Sequence, residues 1–176
     1  MTSFFDITST LPWPNAIGKR TAVGPLVGAA ESEAISELAR TTPLILVITA
    51  TTAAAHNLAS ELPFFLSDDR EILLVPDWET LPYDNFSPHE DIVSDRLKAL
   101  SRLPTLTSGV VIVSVTTLMH RLAPRHFIDA GVLGLKTGEI LDAEQFVRNL
   151  TRNGYRSVDT VYELSLIHIS EPTRRR

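Results

Sequence analysis

The sequence predicts an α/β fold, a parallel sheet flanked by helices, followed by the start of a small α+β domain. Two observations carry this expectation. Apolar runs of strand length, Pro43–Thr49, Glu71–Val75 and Gly109–Val115, alternate with stretches of helical periodicity. After Ala123-Pro124 that alternation stops, and a single strand–helix–strand unit follows that is too small to close a core alone.

The elements read in order as follows. Residues 1–20 form an irregular leader punctuated by Pro12, Pro14 and Gly18. Thr21–Val27 reads as a weak strand interrupted by Gly24-Pro25. Ser32–Arg40 is helical, with Ala34, Ile35, Leu38 and Ala39 on one face. Pro43–Thr49 is continuously apolar, as expected of a parallel strand buried on both faces. Thr51 or Thr52 can cap the next helix, which carries Ala55, Leu58, Ala59 and Leu62.

Glu71–Val75 is a third strand, and a Trp/Pro/Tyr-rich loop follows from Pro76 to Phe86. Ser87 then caps a helix, with Pro88 at the first helical position and Glu90 three residues after the cap. Ile92, Val93, Leu97 and Leu100 form its expected buried stripe. Gly109–Val115 is a fourth strand and Thr116–Leu122 a short helix, which completes a first domain over residues 21–124.

Residues 125–163 read as a partial second domain. Gly131–Lys136 is a short strand there. Asp142-Ala143-Glu144-Gln145 is a capping box ahead of a helix that turns Phe146, Val147 and Leu150 inward. Asn153-Gly154 suits the left-handed end of that helix, and Ser157–Tyr162 is another strand.

Composition narrows the function classes. The chain has 176 residues, 44% hydrophobic and 21% charged, a globular balance. No apolar stretch approaches the roughly 20 residues of a membrane-spanning helix. The N-terminus lacks the pattern of a signal peptide, and there are no cysteines. A cytoplasmic location and no membrane partner are the expectation. The net charge is −5. Leu164–Arg176 holds three Arg and one Glu; without it, 16 basic and 21 acidic residues become 13 and 20, a body of −7. Such a body repels a phosphate backbone.

Two places invite a test for a phosphate loop. Gly18-Lys19 matches only a fragment of the pattern, with Trp13 at the first glycine position and Arg20 in place of the metal-binding hydroxyl. Gly24–Ser32 lies between the first expected strand and helix and retains glycines, including Gly28, but Ala30 and Glu31 stand where a cation should meet phosphates. It is either a lost nucleotide site or an ordinary strand-to-helix turn, and both predict no hydrolysis. Catalytic, cofactor and metal sites are therefore not expected. His89, Asp91, Asp95 and His120 lack the paired-histidine spacing of a metal site, and no G-x-S-x-G elbow supports a triad.

The Pro76–Phe86 loop is the remaining candidate. Trp78, Tyr83 and Phe86 stand among prolines and the acids Asp77, Glu79 and Asp84. The loop either folds back on its own domain or presents its rings as a docking surface.

Asp77 to Leu97, which reads D-W-E-T-L-P-Y-D-x-F-S-P-H-x-D-I-x-S-x-R-L, closely resembles the N-terminal region of the bacterial transcription-repair coupling factors. Leu103-Pro104-Thr105, Gly109–Val113, Thr117-Leu118-Met119 and Gly154–Asp159 extend the resemblance, which covers about Leu11 to Glu163. It implies a UvrB-like module: a degenerate RecA-like domain without ATPase motifs, followed by part of an inserted domain that recruits UvrA. It further implies a parent protein that uses ATP and Mg to translocate on DNA and displace stalled RNA polymerase, through domains absent here. An ATPase or helicase subdomain with nucleotide and DNA binding, like UvrB itself, is the competing expectation. After Glu163 the pattern departs from the family. Residues 164–176 read as a non-native tail resembling translated adapter sequence, so Arg174-Arg175-Arg176 is not taken as a nucleic-acid tail.

Overall fold

The computed structural model describes residues 13, 16–66, 70–81, 83–132, 137–158 and 166–167. Its centre is a parallel three-stranded sheet of β1 (Leu44–Thr49), β2 (Glu71–Val75) and β3 (Gly109–Ser114), in the order β1-β3-β2. β3 is buried at every residue because it lies between two strands and under two layers of helix. This is the expected α/β architecture, with a small parallel sheet flanked by helices.

The two faces are packed by different helices. α2 (Thr52–Phe65) lays Ala55, Leu58 and Leu62 on Val110 and Ile112, with Val47, Ile72 and Leu74 alongside. α1 (Ala30–Thr41) packs against α2, and Ser32 donates to Glu61 at 2.8 Å between them. On the other face, Ala99 of α3 (Glu90–Arg102) meets Val75, Val111 and Val113, with Leu106 closing the cluster. A 3-10 turn at Leu103–Thr105 ends α3, and the Arg102 guanidinium donates to both carboxylate oxygens of Glu71 in β2.

The helix starts follow from local chemistry. Thr51, not Thr52, caps α2, accepting from the Ala54 N–H at 3.1 Å. Ser114 caps the short α4 (Val115–Met119), which begins and ends before the expected Thr116–Leu122. α6 (Ala143–Arg152) starts at Asp142, whose carboxylate accepts from the Gln145 N–H at 3.0 Å. It ends where Tyr155 N–H reaches Leu150 O and Gly154 N–H reaches Thr151 O, with Gly154 at φ 90°.

Several expectations are corrected. Thr21–Val27 is not a strand: Pro25 has no N–H to give a ladder, and the segment runs as irregular chain into the turn at Gly28-Ala29. β1 is buried on one face only. It is an edge strand like β2, but α3 covers the sheet over β2 and β3 only, so Leu44, Leu46 and Ile48 are exposed. Ser87 does not cap α3. His89 does, with Nδ1 accepting from the Asp91 N–H at 3.3 Å, and the first helical bond runs from Val93 N–H to His89 O. In the expected stripe of α3, Leu97 is exposed, and Arg96 takes the inward position instead.

Gly131 closes a helix, α5 (Arg125–Gly131), rather than opening a strand; the rest of the expected Gly131–Lys136 strand lies outside the described residues. α5 leans on α3 and buries Ile128. Arg156–Ser157 (β4) pairs in parallel with Leu166–Ile167 (β5), and the remainder of the expected Ser157–Tyr162 strand is outside the described residues. The leader is described only at Trp13 and Ala16–Arg20.

Candidate functional site

In a parallel α/β sheet, ligands gather at the carboxyl ends of the strands. Here those ends converge on one carboxylate. Asp77, two residues past β2, accepts from Thr116 at 2.8 Å, from Thr52 at 3.2 Å and from Ser114 at 3.5 Å. Thr52 begins the helix after β1, Ser114 ends β3, and Thr116 lies in α4. One side chain thus ties together the exits of all three strands. Burial pushes the Asp77 carboxyl up, but hydrogen bonds from Thr116, Thr117, the Trp78 N–H and Thr52 outweigh it and hold it below the usual aspartate range.

Next to this knot lies Arg96, 1% exposed. Its guanidinium stands 4.8 Å from the centre of the Trp78 ring and donates to Pro76 O at 2.6 Å. Burial lowers its affinity for the proton, and the Asp77 charge opposes that. The sequence marks Asp77 only as one of the loop's acids and gives Arg96 no role. The available signals were a hydroxyl residue at or just past two strand ends, and a cation inside the apolar stripe of α3.

The sequence-predicted loop residues separate into two groups. Trp78 is half-buried against Arg96. Tyr83 and Phe86 are exposed, as is Leu81. The turn that carries them is closed by Leu81 N–H to the Asp84 carboxylate at 2.7 Å and Asp84 N–H to Leu81 O at 3.1 Å. Glu79 and Tyr83 adopt left-handed backbone, φ 58° and 75°.

The residues expected as a degenerate phosphate loop lie at the start of α1, the helix that packs on α2. Gly28 has φ 62°, Ala30 opens α1, and Glu31 and Glu33 occupy its first turn. No strand leads into them among the described residues, and the charge presented at that helix end is negative. Carboxylates at a helix N-terminus oppose the field that ordinarily attracts a phosphate.

His89 and Asp91 approach to 3.2 Å at the start of α3, but no group of three or more potential metal ligands gathers among the described residues. A cavity of about 300 Å³ opens where α3 leaves β1 uncovered, lined by apolar side chains such as Leu46, Leu100 and Leu118. Arg96 and Thr117 are its two polar lining residues. No described helix is long and apolar enough to cross a membrane.

No family model matches the chain. Curated proteins do. The chain is 40% identical over 151 residues to the transcription-repair-coupling factor of Escherichia coli (strain K12), covering 85% of this chain and 13% of that protein. It is 39% identical over 142 residues to the Haemophilus influenzae transcription-repair-coupling factor, covering 80% and 12%. The Myxococcus xanthus transcription-repair-coupling factor is 30% identical over 160 residues, covering 86% and 13%. The chain therefore spans about an eighth of the length of these relatives.

Proposed function

We propose that this chain, a piece of the transcription-repair-coupling factor family, works as a non-hydrolytic UvrB-like module that recruits UvrA to transcription-coupled nucleotide excision repair. The homology places it in the family. One structural observation supports the non-hydrolytic reading: the first turn of α1 carries Ala30, Glu31 and Glu33 and no cation. A phosphate bound there would face carboxylates across the helix end that ordinarily attracts it.

On this reading the sheet and its Asp77 knot are a scaffold. They hold the two crossover loops and α3 together through hydrogen bonds and a buried cation. Residues 125–163 supply the beginning of the recruiting domain. Displacement of stalled RNA polymerase and ATP-driven translocation on DNA belong to the rest of the longer protein.

Two measurements test this. The purified chain with ATP and Mg should release phosphate no faster than a blank without protein; release above the blank would establish the ATPase-subdomain reading in its place. UvrA should bind the chain, and duplex DNA should not, because the body carries −7.

A further inference from the structure

The geometry points to an interface between two copies of this chain, joined through their β1 strands edge to edge and antiparallel about a two-fold axis. The inference rests on β1 and its surroundings, and UvrA binding or its absence leaves it untouched.

The first observation is the phase of the β1 backbone. In a parallel ladder the N–H and C=O of one residue point to the same side, and successive residues alternate. Gly109 N–H donates to Pro43 O at 2.8 Å, and Leu44 lies beside Gly109 in the register. Residues 43, 45, 47 and 49 therefore turn their backbone groups to β3. Leu44, Leu46 and Ile48 turn theirs to the outer edge, where no strand pairs among the described residues. The side chains of the same three residues are exposed, on the face that α3 leaves bare.

The second observation is that this edge complements itself. An antiparallel pairing centred on Leu46 sets Leu46 opposite Leu46 of the second copy, and Leu44 opposite Ile48. Each is a hydrogen-bonded pair, because all three residues turn both backbone groups outward. Every outward N–H and C=O of the three is then used. Residues directly opposite share a face of the sheet, so the two apolar rows merge into one. The two-fold closes on itself and leaves no β1 edge for a third copy. An apolar small molecule in the neighbouring cavity would leave those backbone groups unpaired, and a nucleic acid has no apolar row to offer.

The third observation is area and charge. Leu44, Leu46, Ile48, Leu103, Leu118 and Leu122 are between 37% and 56% exposed, and all but Ile48 line the cavity beside β1. They leave on the order of 600 Å² of apolar surface open per copy, near the roughly 800 Å² per partner of a stable interface. Thr41 to Ala55 contains no charged residue, so the seam opposes no like charges although each copy carries −5. Edge strands are ordinarily blunted by a Lys, a Pro or a bulge, and Leu44–Thr49 has none of these. β2, the other edge, begins at Glu71 and is part-covered along its length, so it offers no such row.

The test is the mass of the purified chain by sedimentation equilibrium, together with cross-linking through single cysteines. At about 100 μM the chain should sediment at twice its monomer mass, and added salt should tighten the association by screening the net charge. Leu46→Lys sets two cations opposite each other at the axis and should weaken association at least about tenfold. The chain has no cysteine, so Leu46→Cys introduces a single thiol. Its Cα should lie about 5.5 Å from its counterpart, within disulfide reach, and oxidation by copper phenanthroline should give a covalent dimer. Leu44→Cys is the control: its counterpart lies four residues along the seam, roughly 14 Å away, and should not cross-link. Both positions are exposed, and an unchanged circular dichroism spectrum verifies the fold of each variant. A monomer at about 100 μM overturns the inference, as does a mass that grows past the dimer with concentration. Association untouched by Leu46→Lys, or equal cross-linking at positions 44 and 46, overturns it too.

Discussion

The Arg96 guanidinium lies 4.8 Å from the centre of the Trp78 ring and donates to Pro76 O at 2.6 Å, so one buried cation joins α3 to the start of the β2–α3 loop. The planar group does two things a smaller cation cannot do together: it stacks on the ring, and it points a donor along its edge. Arg96→Ala leaves a hole beside Ala99 and an unpaired carbonyl at Pro76. The expected cost is about 2–4 kcal/mol, read from urea denaturation. Arg96→Lys keeps the charge but loses the stacked fork, and is expected to recover less than half of that. Full recovery by Lys would show that charge alone matters at this position.

Asp77 is the acceptor on which three strand exits converge, and Asp77→Ala removes the shared partner of the Thr52 and Thr116 hydroxyls and the anion whose charge acts on Arg96. A loss of about 2–3 kcal/mol is expected. The pH dependence has a definite sign. The folded-state pKa lies below the ordinary aspartate value of 3.8, so the contribution is fully present above that value. It is lost as the pH falls through the lower folded-state value. Stability measured from pH 7 into this acid window should fall less steeply for Asp77→Ala than for the unaltered chain. Parallel curves for the two proteins would remove Asp77 from the account.

Gly109 opens β3 at φ 142°, and a Cβ built there would stand 2.3 Å from the carbonyl oxygen of Glu71. Its N–H donates to Pro43 O at 2.8 Å, so the backbone cannot shift away without breaking the bond that starts the β1–β3 ladder. Gly109→Ala should therefore cost about 3 kcal/mol or more, from steric overlap and unfavourable backbone combined. Gly28→Ala is the control: its φ is 62°, but nothing lies within 4 Å of an added Cβ. Strain alone should limit its cost to about 1–2 kcal/mol. A similar cost at both positions would show that the close approach to Glu71 carries no weight.

The legible parts of this chain are those that local chemistry dictates. Gly109–Ser114 announced itself as a buried strand because a run of Val and Ile leaves no polar face. Asp142 announced a helix start because a carboxylate three residues before Gln145 can take its N–H. What sequence reading missed depends on neighbours distant in the chain. β1 is as apolar as β3, and only the strand order makes it an edge with Leu46 and Ile48 in the open. Arg96 is buried because Trp78 and Pro76, about 20 residues earlier, come against it. The Asp77 knot draws on residues 25 to 39 positions apart, a relation that no local pattern encodes. The loop's two open readings separated ring by ring, since Trp78 has a partner to pack on while Tyr83 and Phe86 do not.

Protection against hydrogen exchange should divide the chain at its second half. Every residue of β3 is buried, and its ladders to β1 and β2 can open only when the sheet does. α6 has no buried residue. It rests on the Asp142 cap, the Gly154 turn, surface pairs such as Arg148 with Glu144, and partial cover of Phe146, Val147 and Leu150. Exposed pairs of that kind contribute about 0.3–0.5 kcal/mol each, and a ten-residue helix with so little cover is marginal. Amides of α6 should therefore exchange at least about 100-fold faster than those of β3, a gap of about 2.7 kcal/mol in opening free energy. Asp142→Ala should speed α6 exchange further, by an amount equivalent to about 1 kcal/mol, and leave β3 unchanged. Equal protection of α6 and β3 would mean that α6 is held by packing beyond these local devices.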